Sequence, residues 1–582
     1  MPDALLVVSF SPIQAFIAEA RRAADLYAAS HLLSEIAWAA VAVLQQAGTV
    51  IYPQGAQDAP NVLVARVPAG QVETVARTAE DALRARWAAL AQASRRQLEQ
   101  SLPPSLQPDG RWDAIWQRQV AGLWEVYWAA AELGPDYATA YRQARQGLDA
   151  AKRARFFGPA AEDGLKDSLS GARSALRTDR LDAKAYWQAV QQAFTRRADI
   201  RLRAGERLDA SGVAKRFYTP RAAFESTSDI AAGDYLRQAG REGLVKYART
   251  IYRLLASQPP ANLDAWPAGL DADWLYDEAL TPDRLQRETN LTDPDPAALS
   301  AAQQALQELH RKEGRPPTYY GLILLDGDGM GAAVDGCRTE AAHVAFSQRL
   351  SAFAAQVREL LGGRPGQVIY AGGDDVLALA PAGAALEQAW RWAEAFAASV
   401  QRPDGQPCSA SAGVVIAHHR APLGAALRAV REAERDAKAL NRRPGPAGAV
   451  CVRWLKRGGE TLEARGRWPG LAQRLQQAQD DFSSERLAAR FPYALAREAD
   501  LAAALPQAAR GALLTRLLTR HAEAGLPLAE RAADWLAWSQ ALDVALPEEK
   551  DEAGAPGLVG FRELARWLIL ARFLAQAEKG GE

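Results

Sequence analysis

A chain of 582 residues is too long for one hydrophobic core and, at about 100 to 200 residues per domain, implies about four units. Lys plus Arg and Asp plus Glu balance at 69 each, with 24% charged and 48% hydrophobic residues, an ordinary globular composition in which no global charge announces a nucleic-acid partner. The three cysteines, Cys337, Cys408 and Cys451, have no CxxC spacing and exclude a disulfide framework, which predicts a reducing, cytoplasmic setting. The apolar start ALLVVSF lacks a basic leader, and RWLILARFLA is broken by Arg566 and Arg572, so neither a signal peptide nor a membrane span is expected.

The first element, LLVVSFSPIQAF (Leu5 to Phe16), reads as a strand and a turn leading into a helix. The triplet VIY follows at Val50 to Tyr52, then PQGAQDAPNVLVARVP, giving strand, turn and strand. WEVYWAAAEL (Trp124 to Leu133) is a further strand, and YRQARQGLDAAKRAR (Tyr141 to Arg155) a helix.

From about Gly158 to Gly314 the chain is Ala-, Arg- and Leu-rich with helical spacing. Within it, Arg196 to Arg221 holds eight basic residues (Arg196, Arg197, Arg201, Arg203, Arg207, Lys215, Arg216, Arg221) against Asp199, Glu206 and Asp209. Such a run is a solvated helix face by default, or else a contact for RNA or a neighbouring subunit.

The same order of elements then returns. LILLDGDGMGAA (Leu322 to Ala333) answers the N-terminal strand and turn, VIY recurs at Val368 to Tyr370, SASAGVVIAHH (Ser409 to His419) answers the later strand, and LRAVREAERDAKALN (Leu427 to Asn441) the helix, with Lys438 opposite Lys152. Each half reads strand, long helix, strand, hairpin strand, helix, strand, helix. The expected fold class is α+β: two ferredoxin-like palm domains, of nucleotidyl cyclase or polymerase type, plus two mainly helical domains. The boundaries fall at 1–157 for the first palm, 158–314 for a helical domain, 315–456 for the second palm and 457–582 for a C-terminal helical domain interrupted by PEEKDEAGAPG (Pro547 to Gly557).

The second palm concentrates its carboxylates. Asp326 and Asp328 leave its first strand, and Asp374 and Asp375 occupy the tip of the hairpin VIYAGGDDVLALA, so four carboxylates could converge on one cation site. Each acidic turn alone would be a common turn composition. An EF-hand fails at Met330 and Cys337. Oxygen-only ligands suit Mg²⁺ or Mn²⁺ in a two-metal nucleotidyl-transfer site rather than zinc. Asp326, Asp374 and Asp375 are the candidate catalytic and metal-holding residues. Asp328, Gly329, Met330, Gly331, Gly372, Gly373 and Lys438 are candidates for contact with a nucleoside triphosphate such as ATP. The first palm has Ser9 and Ser11 where the second has Asp326 and Asp328, and a longer turn ending Pro60-Asn61 in place of GGDD. It is degenerate as a cation site. Either it holds a second nucleotide, with Ser11 and Asn61 as candidates, or it only supports the fold. His418 and His419, adjacent on a strand, point to opposite faces and read as structural.

FSPIQAFIAEARRAADLYAASHLLSEIAW (Phe10 to Trp38), LLDGDGMG, YAGGDD and SAGVVIAHHRAPLGAALRAVREAERDAKALNRR together resemble the large palm-domain subunit of type III CRISPR interference complexes, Cmr (III-B) branch. The GGDD palm is also similar to the GGDEF diguanylate cyclases. The resemblance implies an antiviral complex in which a guide RNA pairs with target RNA. Its palm pair then converts ATP into cyclic oligoadenylates, with other CRISPR subunits as partners. It implies metals on Asp326, Asp374 and Asp375, phosphates on Gly329 to Gly331 and Lys438, and a second ATP on the first palm. A scaffold with a relic acidic cluster, or a palm enzyme making another AMP conjugate, are the alternatives. Relatives carry an HD nuclease, but no histidine here is followed by Asp, so DNA cleavage is not expected. Where relatives have a CxxC of a zinc site this chain has KDSLSG (Lys166 to Gly171), with Asp167 and Ser170 in place of thiolates, and no structural zinc is expected.

Overall fold

The structure, a computed structural model, describes residues 2–55, 58–154, 162–195, 202–219, 224–267, 269–363, 365–443, 447–523, 525–546 and 559–577. Two sheets organise it. The first contains β1 (Asp3–Ser11), β2 (Thr49–Tyr52), β3 (Val62–Pro68) and β4 (Glu125–Glu132) in the order β2-β3-β1-β4. The second contains β5 (Tyr319–Gly327), β6 (Gln367–Gly372), β7 (Asp375–Pro381), β8 (Ala410–His418), β9 (Ala449–Leu455) and β10 (Thr461–Arg467) in the order β10-β9-β8-β5-β7-β6. Four strands in each sheet share one antiparallel arrangement, in which the first strand of the unit lies between the third and the fourth. This is the ferredoxin-like topology, and it occurs twice. In the second palm β9 then adds parallel to β8 through the helix Leu423–Asn441.

The duplication extends to detail. Pairing in the β2–β3 hairpin shifts between Val50 and Tyr52, and in the β6–β7 hairpin between Val368 and Tyr370, so both VIY triplets carry a bulge at the same place. Ser9 pairs with Val62. One step beyond the pair Leu325–Val376, Asp326 comes opposite Asp375, so Ser9 and Asp326 are equivalent by register. Lys152 and Lys438 stand at the same offset within the helices Tyr137–Arg153 and Leu423–Asn441.

The two palms dock reciprocally. The helix Ala23–Ala47 buries Ala28, Leu32, Ile36 and Leu44 in the first palm, while its start, Ala23 and Leu26, packs with Tyr320, Leu322, Leu379 and Val415 of the second. In return Val334 and Val344 of the second palm pack on Leu5, Val7, Ile51 and Tyr141 of the first. A helix covered on two sides is apolar on two sides. This explains why Ala23–Ala47 has the length and apolarity of a membrane span although 61% of its most apolar window is buried within the fold.

Apolar cores cross two of the expected boundaries. Ala175, Trp187, Leu208 and Phe217 share a core with the first palm, whereas Leu244, Ile251, Trp274 and Leu306 form a separate one. The helices Leu471–Ser483 and Gly560–Ala577 continue the core of the second palm, and β10 belongs to its sheet.

In its described part the basic run is not a uniformly solvated face: Lys215 and Arg216 are buried, while Arg203 and Arg207 are partly exposed. Arg216 is buried in bidentate pairs with Asp25 and Glu206. Lys215 is buried with its Nζ donating to the carbonyl of Phe16, and Arg203 pairs with Glu288. Packing against the start of the helix Ala23–Ala47 turns the Arg216 charge into an internal ion pair with Asp25. Arg196, Arg197, Arg201 and Arg221 lie outside the described residues, as does PEEKDEAGAPG. At KDSLSG, the buried Asp167 carboxylate accepts from the amides of Leu169 and Ser170 and from the Ser170 hydroxyl, so the two residues standing where relatives have thiolates bond each other.

Candidate active site

Three elements of the second palm bring the site together. β5 delivers Asp326 at its end, the β6–β7 tip delivers Asp374 and Asp375, and the helix Leu423–Asn441 lays Glu434 and Lys438 across the same sheet face. Carboxylate oxygens of Asp326, Asp374 and Asp375 lie within 4.8 Å of one another. The hairpin turns through Gly373 and Asp374, with Gly372 paired to Asp375. Gly373 has φ of +72°, the left-handed conformation that the first central position of a type II′ turn needs and that glycine adopts at no steric cost.

Glycines also set the close approaches. A Cβ on Gly327 would stand 2.9 Å from the Cβ of Asp374, so the bare backbone at 327 lets the hairpin close on β5. A Cβ on Gly413 would stand 2.4 Å from the Val430 carbonyl and 2.5 Å from the Glu434 amide, so Gly413 lets the helix carrying Glu434 and Lys438 settle onto β8. A Cβ on Gly372 would meet the Tyr370 hydroxyl at 2.0 Å, and one on Gly373 would meet the hydroxyl of Tyr52, from the first palm, at 2.8 Å. Gly329 has φ of +67° and precedes the short helix Met330–Asp335, and the space beside Gly331 is open.

The electrostatics follow from this crowding. Desolvation in the crowded hairpin tip, together with the charge of Asp375, raises the Asp374 carboxyl, and Asp375, whose side chain is exposed at the tip, is shifted in the same direction. Burial, then Asp375, raises Glu434 to about 7. Burial, then the charge of Arg442, lowers Lys438 to about 8. Lys438 contacts the Asp326 carboxylate and lies 3.5 Å from Glu434. One lysine against four carboxylates leaves like charges crowded together, which shifts them toward their neutral forms, and a divalent cation would relieve that cost. The donor set of clustered carboxylate oxygens therefore fits a hard cation such as Mg²⁺ or Mn²⁺.

The structure departs from the sequence expectation in the number of converging carboxylates. Asp328 is not the fourth. β5 ends at Gly327, so the two-residue period that would return Asp328 to the face of Asp326 is lost. Its amide donates to the Ser409 carbonyl and its carboxylate accepts from the Ser409 hydroxyl at 2.7 Å, and burial raises its pKa. Ser11 and Asn61 sit together at the equivalent edge of the first palm. Ser11 donates to Glu125 at 3.2 Å, and Asn61 exchanges hydrogen bonds with the Phe10 backbone.

Residues that motif reading missed are Gly327, Gly413, Glu434, Tyr52 and Asp58. The Asp58 carboxylate accepts from the Ala371 amide of edge strand β6 at 2.8 Å and pairs with Arg358 at 2.6 Å. Burial, with Asp374 and Asp375 nearby, holds the Tyr52 hydroxyl above its usual range. The glycine between the two aspartates of DGD is the one signal in the sequence that could have flagged Gly327. The others depend on contacts remote in the chain. His418 and His419 are buried at the far end of β8, where His419 bonds Ser228 and stacks on Tyr276.

Paired ferredoxin-like palms with a carboxylate cluster and a lysine at one sheet edge define a palm-domain protein of nucleotidyltransferase-like architecture. Residues 319–445 match the family model described as Cas10/Cmr2, second palm domain, and residues 5–59 match that of CRISPR-associated protein Cmr2, N-terminal. These two segments make the chain similar to the Cas10/Cmr2 family, in its Cmr branch. It is 29% identical over 189 residues to the CRISPR system Cmr subunit Cmr2 of Pyrococcus furiosus, an alignment that spans 28% of this chain and 22% of that protein. The fold is similar to a chain of the type III-B Cmr-beta structure in the apo state, with a TM-score of 0.69 at 13% identity over 98% of this chain and 82% of that one. It is likewise similar to the Cmr-beta structure bound to cognate target RNA, with a TM-score of 0.64 at 13% identity over 98% and 83%.

Proposed function

We propose that this chain is the catalytic large subunit of a type III-B CRISPR antiviral complex. On pairing of target RNA with the guide, it joins ATP units into cyclic oligoadenylates by 3′-5′ nucleotidyl transfer. The observation that carries this reading is the convergence of Asp326, Asp374 and Asp375 beside Lys438 on one palm edge. These carboxylates would hold Mg²⁺ or Mn²⁺, which when bound supplies activation of the ribose 3′-hydroxyl and charge offset on the departing pyrophosphate. Lys438 sets a positive charge at the same edge for the phosphates. Glu434, one helical turn from Lys438 on the helix that crosses this edge, is placed to accept the proton that leaves the hydroxyl. The open Gly329 to Gly331 turn leaves room for the triphosphate, and Ser11 and Asn61 mark the edge of the first palm where a second ATP would sit.

The test is to assemble the chain with guide RNA, matching target RNA and partner subunits, add ATP with Mg²⁺ or Mn²⁺, and identify products by mass spectrometry. Adenylate oligomers are expected with the native chain and none with Asp374→Ala/Asp375→Ala. Normal RNA binding without product under either cation would leave a scaffold.

A further inference from the structure

Arg402 stands in the hairpin between the helix Ala382–Ser399 and β8, at the same sheet end as the carboxylates. The hairpin is rigidly built. The Arg402 amide donates to the Gln406 carbonyl at 2.8 Å, the Gly405 amide to the Arg402 carbonyl at 2.9 Å, and Gln401 bridges Pro407. A terminal guanidinium nitrogen lies 3.8 Å from the position a Cβ on Gly329 would take.

This arginine is handled differently from others in the fold. Arg216 is matched by Asp25 and Glu206, Arg173 by Glu19 and Asp209, and Arg453 by Glu432, Asp436 and Glu463. Among the described residues no carboxylate forms an ion pair with Arg402, and its buried Nε has no hydrogen-bond partner. The guanidinium hydrogen-bonds the Cys408 thiol, and the neighbouring Asp328 has its carboxylate already taken by Ser409. A half-buried guanidinium without a carboxylate, held against an open glycine turn, is a site for an anion supplied from outside the chain.

We propose that Arg402 binds the β- and γ-phosphates of the nucleotide held at the carboxylate cluster. The inference rests on the ATP reading of the site. The α-phosphate, where the new bond forms, must lie at Asp326, Asp374 and Asp375. Gly329 is two residues beyond Gly327, which touches Asp374, and two residues span at most about 7 Å of chain. A guanidinium at Gly329 therefore meets the phosphates that leave, and its planar fork can take two of their oxygens at once.

The test measures binding of a non-hydrolysable ATP analogue and of AMP, each with Mn²⁺, to the full chain, native and with Arg402→Ala or Arg402→Lys. Arg402→Ala is expected to weaken the ATP analogue about tenfold or more while leaving AMP unchanged, with Arg402→Lys between. Inorganic tripolyphosphate should compete on the native chain and lose potency on Arg402→Ala. Equal affinity of Arg402→Ala and native chain for the analogue would overturn the proposal and leave the ATP reading standing. Equal weakening of analogue and AMP would also overturn it, assigning Arg402 to the shape of the turn. A native chain that binds neither nucleotide would remove the ATP reading, and the proposal with it.

Discussion

Gly327 illustrates how the chemistry at this edge depends on an absent side chain. Its Cα lies between the strand that carries Asp326 and the hairpin that carries Asp374, and a Cβ there would also meet Met330 and Phe396 at 2.9 Å. Gly327→Ala is expected to push the hairpin away from β5 by a fraction of an ångström to an ångström, enough to cost about a hundredfold in turnover. The melting temperature should fall as well, because Phe396 belongs to the buried core of the palm, so turnover is compared well below the transition. Oligoadenylate synthesis beside a thermal melt of the same preparation checks this, and unchanged turnover would show that the hairpin has room to spare. The acidic residues themselves were legible, since DGD and GGDD mark turns at strand ends. What the turns could not reveal is which carboxylates meet, because Asp326 and Asp328 differ in facing only through the ending of β5 at Gly327 and the bond from Ser409 to Asp328.

At the scale of elements, the loop that follows β2 acts on the neighbouring palm. Asp58 takes the Ala371 amide three residues before Asp374, on an edge strand that has no further strand to pair with, while Tyr52 rests on Gly373. The first palm thereby fixes both the strand and the tip of the catalytic hairpin. Asp58→Ala removes the acceptor for a half-buried amide and the partner nearest Arg358, a loss of about 1–3 kcal/mol. The expected kinetic result is a turnover lowered about tenfold with the ATP KM little changed, because the substitution loosens the hairpin without touching the phosphates. A rise in KM alone would instead place Asp58 in substrate binding. The strands and their order were readable from the repeat, because a strand, a bulged VIY and a hairpin recur in one sequence order. The helical remainder was not so readable. Periodicity marks which face of a helix is buried and not what covers it, so residues 175–218, which share the core of the first palm, and the C-terminal helices, which share that of the second, looked like separate domains.

Over the whole molecule, the contact between palms carries a buried histidine whose titration reports on docking. His343, on the helix Glu340–Glu359, bonds the Tyr137 hydroxyl of the first palm at 2.8 Å and meets the Tyr141 ring edge-on. Burial, helped by the charge of Arg145, lowers its pKa from 6.5 to about 4. Between those two values the unfolded chain binds a proton at this site and the folded chain does not, so stability rises with pH across that window. The contribution is present in full above about 6.5, falls as the pH drops, and is lost by about 4. Its ceiling is roughly 3 kcal/mol at 1.36 kcal/mol per pKa unit. His418 and His419, lowered to about 4 and about 2, act in the same direction, so a comparison with a single-site variant is needed to isolate His343. His343→Gln keeps a partner for Tyr137 and does not titrate. Urea unfolding at pH 7 and pH 5 is expected to show a smaller loss of stability on acidification for His343→Gln than for the native chain. An identical acid slope in both would mean that His343 is protonated in the folded state, and that the two palms do not close over it as tightly as the Tyr137 and Tyr141 contacts require.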